Sequence, residues 1–272
     1  MSRQIKVAAV QTAPVLFDLE ASLKKTAEFV KKAAALRTDL VVFPESFLPG
    51  YPRGLSFGAV IGSRTDQGRE QYKKYFQNSV EVPGDIVSKL GQLASDNHIY
   101  LVIGVTERDT VSKTLYCTTL YFSKTGDLLG KHRKLKPTAS ERIVWGEGDG
   151  TTLSTFKTEA GILGGLICWE NYMPLARMAM YQKGVELYIA PTADGRDNWQ
   201  STMIHIANEG RCFVIGCNQF VKKEDYSEDL LNEVEASSDI LSRGGSVIVS
   251  PMGEVLAGPL LDEEGIITAN ID

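Results

Sequence analysis

The spacing of apolar and polar positions along the chain predicts alternating strands and helices. Residues 5–11 form a β-rich apolar run, and residues 19–36 carry apolar side chains at helical spacing. An apolar run followed by an amphipathic segment recurs along the chain, which is typical of α/β folds. The further predicted strands are 40–43, 99–104, 115–123, 128–134, 162–167, 185–190 and 212–220. The further predicted helices are 85–97, 174–183 and 198–210.

Other segments carry weaker patterns. Residues 124–127 read as the turn of a hairpin, and the closing runs 245–250, 255–257 and 266–271 predict edge strands. Residues 53–69 contain four glycines and few strand signals, and they predict a long loop that begins close to Glu45. The acidic segment 222–239 predicts a solvated loop or helix face, and we assign it no chemistry.

Composition narrows the class of protein. The chain has 272 residues, 43% of them hydrophobic and 23% charged, and we interpret residues 1–272 as one globular domain. No apolar stretch reaches the roughly 18 residues of a membrane span, and the first residues do not resemble a signal peptide. We therefore expect a soluble, cytoplasmic protein. A net charge of -5 offers no basic face for nucleic acid, which leaves a small molecule as the expected substrate.

Cys168 is the strongest candidate nucleophile. It follows the apolar run 162–167 and precedes a polar, acidic segment, so it is expected at the carboxyl end of a strand, where open α/β sheets collect reactive groups. The other cysteines, at 117, 212 and 217, form no CxxC pair with it, and reduced thiols are expected. Free cysteine is often only a buried packing residue, so this position alone does not establish catalysis.

A catalytic thiol needs a neighbouring base or cation, because an ordinary thiol is mostly protonated at neutral pH. The three histidines, at 98, 132 and 205, occupy no spacing that ties them to Cys168 or to a metal. Glu45 ends the apolar run 40–43 after Pro44, so it should reach the same rim partly desolvated and with a raised pKa. Lys134 lies in a basic strand whose inward face the sequence leaves ambiguous.

Several motifs occur together and in one order, and they resemble the nitrilase branch of the carbon-nitrogen hydrolase superfamily. The resemblance runs from Val7 to Asp272. The motifs are Phe43-Pro44-Glu45, Gly50-Tyr51-Pro52-Arg53-Gly54, the segment 132–138 with Glu141-Arg142 and Trp145-Gly146, the segment 164–170, the segment 190–195, and His205-Ile206-Ala207 with Glu209-Gly210.

The resemblance implies a four-layer αββα sandwich in which Glu45, Lys134 and Cys168 converge, with Glu141 as a supporting carboxylate. Cys168 would attack a nitrile carbon after Glu45 takes its proton, and Lys134 would stabilise the developing charge. A thioimidate and then a thioester would follow, and water would release the carboxylic acid. No cofactor and no metal are expected.

Nitrilases and amidases of this superfamily share the Glu-Lys-Cys triad, so the neighbouring residues decide between them. The Cys-Trp-Glu sequence and the Tyr-Pro-Arg-Gly loop resemble nitrilases. Tyr51 and Trp169 are candidate pocket walls, because aromatic rings suit the side group of a nitrile, and Thr192 is a further candidate for substrate binding. An amidase or carbamoylase, and a catalytically idle binding protein, stay as alternatives. Aliphatic, aryl and arylaceto nitriles and cyanide all stay as candidate substrates.

The resemblance also implies self-association. Members of the superfamily associate through helices around the site, so a homodimer or larger homo-oligomer is expected. The sequence ends at Asp272, where nitrilases commonly continue with a tail that crosses subunit interfaces. The expectation is therefore a dimer rather than an extended filament.

Overall fold

Two seven-stranded β-sheets form the framework of the computed structural model, which describes residues 4–272. The strands are β1 (Ile5–Gln11), β2 (Leu40–Val42), β3 (Ala59–Val60), β4 (Ser63–Arg64), β5 (Val80–Glu81), β6 (Tyr100–Arg108), β7 (Leu115–Phe122), β8 (Leu128–Arg133), β9 (Phe156–Thr158), β10 (Gly161–Gly165), β11 (Leu187–Pro191), β12 (Phe213–Cys217), β13 (Phe220–Lys222), β14 (Ile240–Val249), β15 (Val255–Leu261) and β16 (Gly265–Ile271). The helices are α1 (Leu19–Ala35), α2 (Asp66–Gln77), α3 (Asp85–Asp96), α4 (Pro174–Gln182), α5 (Asn198–Gly210) and α6 (Glu228–Val234).

The first sheet has the strand order β16-β1-β2-β6-β7-β8, with β5 added beside β6. Strands β1, β2 and β6 are parallel, as the predicted β–α alternation requires, and the remaining pairs along this order are antiparallel. The carboxyl-terminal strand β16 pairs with β1 along its whole length. That pairing places Gly265–Ile271 beside Ile5–Gln11 in the same sheet.

The second sheet has the order β13-β14-β12-β11-β10-β9, with β15 beside β14. Its centre, β10-β11-β12, is parallel, and Leu163, Leu187 and Phe213 occupy equivalent positions on the three strands. Parallel strands that are covered on both faces have continuous apolar sequences. The apolar runs in the sequence therefore predicted these three strands.

Three apolar clusters separate the four layers and confirm the predicted αββα sandwich. Alternate residues of β1 face opposite ways: Ala8 and Val10 pack against α1 and α3, whereas Val7 and Ala9 face the second sheet. On the far side, α4 and α5 cover the second sheet through a third cluster. Among residues 4–272 no helix has the length and apolar character needed to span a membrane.

Four predictions of secondary structure were wrong in part, and the first three concern a loop, an acidic segment and an edge strand. The predicted loop 53–69 contains the hairpin β3–β4 and the start of α2, whose first turn is capped by the Thr65 hydroxyl. The segment 222–239 contains α6, and its Leu230 and Val234 are buried rather than solvated. The strand β14 is not at an edge, because it pairs with β12, β13 and β15.

The predicted strand 212–220 is two strands, β12 and β13, interrupted at Asn218 and Gln219. Both amides are buried and bind backbone carbonyls: Asn218 Nδ2 donates to Asp194 O at 2.8 Å, and Gln219 Nε2 donates to Glu45 O at 2.6 Å. The apolar pattern could not reveal this break, since it is made by contacts with residues distant in sequence.

A glycine behind Glu45 generates a testable prediction. A Cβ on Gly104 of β6 would lie 2.2 Å from Pro44 O and 2.5 Å from Ser46 N. Backbone atoms cannot move aside as a flexible side chain can, so Gly104→Ala should lower the free energy of unfolding by about 1–3 kcal/mol. Chemical denaturation measures this loss.

The matched control is Gly265→Ala on β16, where the nearest atom is the flexible tip of Leu260 at 3.1 Å. We expect this control to stay close to the parent protein. Equal stability of the two variants would contradict the close approach at Gly104.

Candidate active site

The two sheets deliver different groups to one rim of the sandwich. Glu45 follows β2 and Lys134 follows β8, so both come from the first sheet. Cys168 follows β10 and Thr192 follows β11, so both come from the second sheet. The rim is the carboxyl end of the parallel strands, where the sequence placed Glu45 and Cys168. The packing of sheet on sheet is what brings the four residues together.

Lys134 is fully buried between two carboxylates. Its Nζ lies 2.6 Å from Glu45 Oε1 and 2.8 Å from Glu141 Oε2. Burial acts to lower the pKa of Lys134, but the negative charge of Glu45, with further contributions from Cys168, Cys117 and Glu141, outweighs it and raises the pKa well above its usual value. Lys134 is therefore an ammonium at neutral pH.

The structure decides the face that the sequence left ambiguous. His132 and Lys134 point inward, whereas Lys131 and Arg133 point to the other face and pair with the buried carboxylate of Glu107 at 2.6 Å and 2.5 Å. The basic segment thus presents Lys134 to Glu45 and Glu141 on one face and Lys131 and Arg133 to Glu107 on the other.

Glu45 has one bound and one unbound oxygen. Oε1 accepts from Lys134 and from the Cys117 thiol at 3.4 Å, while Oε2 is buried with no hydrogen-bond partner among residues 4–272. Burial raises the pKa of Glu45, Lys134 opposes that effect and Glu141 adds to it, so the net shift is upward. A desolvated carboxylate with a free oxygen is suited to accept a proton.

Cys168 opens the short 3₁₀ turn Cys168–Tyr172 with a φ of 50°, in the left-handed region. A residue with a β-carbon is strained in this backbone conformation, and strained residues are often found at functional sites. Burial raises the pKa of the Cys168 thiol, and the charge of Glu45 raises it further, against the opposing effects of Lys134 and of a hydrogen bond from Thr192. The resting nucleophile is therefore a thiol that needs a base.

A buried carboxylate ties the nucleophile turn to the end of β8. Glu170 Oε2 accepts from the backbone N–H of Ile167 at 2.7 Å, and Oε1 accepts from that of Leu135 at 2.6 Å. His132 Nε2 lies 3.0 Å from the same carboxylate. Sequence reasoning used Glu170 only as a family marker and missed this role. The available signal was a carboxylate two residues after the nucleophile.

Tyr51 and Trp169 line a cavity of about 750 Å³ above Cys168. The Tyr51 hydroxyl donates to Glu141 Oε1 at 2.7 Å, and Trp169 Nε1 donates to Asp194 Oδ2 at 3.0 Å. Thr192 is buried, and its hydroxyl contacts the Cys168 sulfur instead of the cavity. The cavity is lined by Tyr51, Arg53, Thr138, Ala139, Ser140, Glu141, Cys168, Trp169, Ala193, Asp194, Gly195, Arg196, Ile240, Leu241, Ser242, Arg243 and Asp262.

Charged groups at the cavity wall are mostly paired. Arg196 binds Asp194 and lies over the Trp169 ring, with its guanidinium carbon 4.7 Å from the ring centroid. Arg243 pairs with Asp262 at 2.8 Å. Within the described part of the chain, no group of three or more His, Cys, Asp and Glu side chains is arranged to hold a metal ion.

Comparison with known proteins identifies the class. Residues 6–272 match the carbon-nitrogen hydrolase family, and the chain belongs to that family. The solved structure of Nit3 from Saccharomyces cerevisiae covers 100% of this chain and 91% of its own, with a TM-score of 0.78 and 27% identity. An amidase from Nesterenkonia sp., at 19% identity and a TM-score of 0.73 over 98% of this chain and 90% of its own, shows the same fold.

Curated relatives in sequence carry nitrilase names. Nitrilase 2 of Arabidopsis thaliana is 49% identical over 98% of this chain and 80% of its own length. An aliphatic nitrilase of Sinorhizobium fredii (strain HH103) is 50% identical over 99% of this chain and 87% of its own. A bifunctional nitrilase/nitrile hydratase of Nicotiana tabacum is 48% identical over 98% and 78%. The predicted family resemblance is confirmed.

Glu45 and Glu107 are both buried, and we predict that replacing each with Gln changes the pH dependence of stability in opposite directions. Because the pKa of Glu45 is raised in the folded state, the stability linked to it is present at low pH and is lost as pH rises through that folded pKa. Glu45→Gln removes the titrating group but also one of the two carboxylates that hold Lys134. We therefore expect the difference in melting temperature, variant minus parent, to rise as the pH increases from about 5 to about 8.

Glu107→Gln is the matched control. Burial acts to raise the pKa of Glu107, but Arg133 and Lys131 outweigh it and the pKa is lowered, so the linked stability is present above the ordinary glutamate pKa and is lost only at lower pH. This variant should be less stable than the parent between about pH 5 and pH 8. A variant-minus-parent difference that rises with pH in both variants would contradict the assigned shifts.

Proposed function

We propose that this chain is a nitrilase that hydrolyses an organic nitrile to the carboxylic acid and ammonia. The observation that carries the proposal is the buried group of Glu45, with one free oxygen, Lys134, clamped by two carboxylates, and Cys168 at the floor of a cavity. Nitrilase relatives near half identity over almost the whole chain support the choice of a nitrile as the substrate.

The first step joins the thiol to the substrate. Glu45 Oε2 takes the Sγ proton of Cys168, and the sulfur then attacks the nitrile carbon, so that one C–N π bond breaks and its electron pair moves to nitrogen. Lys134 and the backbone N–H of Trp169 stabilise the negative charge, and the proton held by Glu45 passes to nitrogen, which yields a thioimidate and returns Glu45 to its carboxylate form. A base is required because burial raises the pKa of the thiol.

Two water molecules complete the reaction. Glu45 removes a proton from the first water, whose oxygen adds to the thioimidate carbon, and passes that proton to the nitrogen. The hydroxyl proton of this adduct then moves to nitrogen by way of Glu45, the C–N bond breaks, ammonia leaves, and a thioester remains. A second water cleaves the thioester, which releases the acid and returns Cys168 to its starting state. Glu141 keeps Lys134 charged and in place through its 2.8 Å contact. No step needs a cofactor, since the electrophile belongs to the substrate.

Tyr51 and Trp169 are proposed as walls of the substrate cavity. Tyr51 is fixed to Glu141, and Trp169 is fixed to Asp194 and covered by Arg196, so both rings present ordered surfaces beside the nucleophile. Thr192, the third residue predicted to bind substrate, contacts sulfur rather than the cavity in this structure.

The place of action is proposed to be the cytoplasm. All four cysteines are free and buried, which fits a reducing compartment.

The test of function is incubation with a panel of aliphatic, aryl and arylaceto nitriles, cyanide and the matching amides, with ammonia, acid and amide measured. We expect ammonia and acid from at least one nitrile. Faster turnover of amides would make the protein an amidase, and no turnover would leave a binding protein.

The same assay tests the residues. Cys168→Ala should abolish turnover, because no other group in the cavity can form the thioester. Lys134→Ala and Glu45→Gln should each remove most of the activity, by at least about a hundredfold. A variant that keeps the parent rate would lose its assigned role. Circular dichroism controls for folding.

Self-association as a homodimer or larger homo-oligomer is also proposed. Exposed apolar side chains follow the nucleophile turn: Leu175 is 86% exposed and Met178 is 49% exposed on α4. We expect light scattering at several concentrations to report at least a dimer, and Leu175→Asp with Met178→Asp to weaken it. A parent protein that stays monomeric would contradict the proposal, and Val111→Asp, at a separate exposed position, serves as the control.

A further inference from the structure

Thr192 holds the nucleophile sulfur by a hydrogen bond that the mechanism above does not use. Its Oγ1 lies 3.1 Å from Cys168 Sγ and donates to it. The backbone N–H of Asp194 donates to the same Oγ1 at 3.0 Å. A threonine hydroxyl has one proton to give, and the Asp194 N–H occupies a lone pair, so the proton is directed at the sulfur.

The strand end that carries Thr192 is held on both sides. The Thr192 N–H donates to Cys217 O at 2.9 Å, and Asn218 Nδ2 donates to Asp194 O at 2.8 Å. Thr192 itself is completely buried. Its hydroxyl is thus in place before any substrate arrives, and it needs no reorganisation to act on the sulfur.

We propose that Thr192 is a further catalytic residue, whose hydroxyl stabilises the Cys168 thiolate both before it attacks the substrate and when it leaves the thioester. The proposal rests on the nitrilase function for its kinetic consequence, but the hydrogen bond to the thiolate can be tested without turnover. Thr192, which the sequence predicted to bind substrate, thus acts on the nucleophile instead.

The size of the effect follows from two opposing trends. Where a thiol is mostly protonated, lowering its pKa by one unit raises the thiolate fraction about tenfold, while the lower basicity reduces nucleophilicity about threefold. The net gain in attack is about threefold for each unit. A more stable thiolate is also a better leaving group, which assists hydrolysis of the thioester.

The other groups around the sulfur act through charge. Burial and the carboxylates of Glu45 and Glu141 raise the pKa of the Cys168 thiol, while Lys134 and the Thr192 hydrogen bond lower it. Lys134 is already committed to two carboxylates. Thr192 is the hydrogen-bond donor on the sulfur itself among the side chains of residues 4–272.

The experiment compares Thr192→Val, which keeps the volume and loses the hydroxyl, with Thr192→Ser, which keeps the hydroxyl. The first readout is the rate of alkylation of Cys168 by iodoacetamide against pH, located by peptide mass spectrometry. In the Val variant we expect the midpoint to rise by about one pH unit or more, as loss of a hydrogen bond to a charged group requires. The Ser variant should stay near the parent.

The second readout is kcat/KM for a nitrile that the parent hydrolyses, which should fall about three- to tenfold in the Val variant and recover in the Ser variant. Thr26→Val removes a buried hydroxyl from α1, where Thr26 donates to Ser22 O at 2.8 Å, and it should change neither readout. Melting temperatures verify folding, and Thr192→Ala replaces the Val variant if that one does not fold.

Two results would overturn the proposal: an alkylation midpoint in the hydroxyl-free variant equal to that of the parent, or equal losses in the Val and Ser variants. If the parent hydrolyses no nitrile, the proposed function fails, and the alkylation profile still decides whether Thr192 stabilises the thiolate.

Discussion

A buried lysine between two carboxylates is the interaction on which the site depends. A buried ammonium without a partner is costly, so Lys134 requires Glu45 at 2.6 Å and Glu141 at 2.8 Å. Glu45 comes from the end of another strand, and this pair therefore ties the end of β8 to the end of β2. The arrangement leaves one Glu45 oxygen buried and without a hydrogen-bond partner among residues 4–272, so this oxygen is free to act as the base that the buried thiol requires.

The site also depends on the contact between the two sheets. The base and the cation belong to the first sheet, and the nucleophile and its threonine belong to the second. Two hydrogen-bonded links fix the sheets in register at this rim. Glu170 joins the nucleophile turn to the backbone after Lys134, and Gln219 binds the Glu45 carbonyl. A shift between the sheets would separate the reacting groups, so residues that do not line the cavity, such as Glu170 and Gln219, contribute to its geometry.

Burial alone does not set the charge behaviour of the acids in this fold. Glu45 and Glu107 are both fully buried, yet the pKa of Glu45 is raised and that of Glu107 is lowered. The difference lies in their partners. Lys131 and Arg133 satisfy both oxygens of Glu107, whereas Glu45 shares Lys134 with a second carboxylate. Glu107 is therefore a structural carboxylate ion, whereas Glu45 is suited to accept a proton.

The sequence by itself determined the order of the main parallel strands and of α1, α3, α4 and α5, because apolar periodicity is a local property, and it placed Glu45 and Cys168 at one rim because each ends an apolar run. It also located Lys134 and Glu141 through family motifs. Tertiary structure decided the rest. The inward face of Lys134, the break at Asn218, the burial of α6 and the contact of Thr192 with sulfur each depend on groups distant along the chain, and a local pattern carries no information about which distant group a side chain will meet.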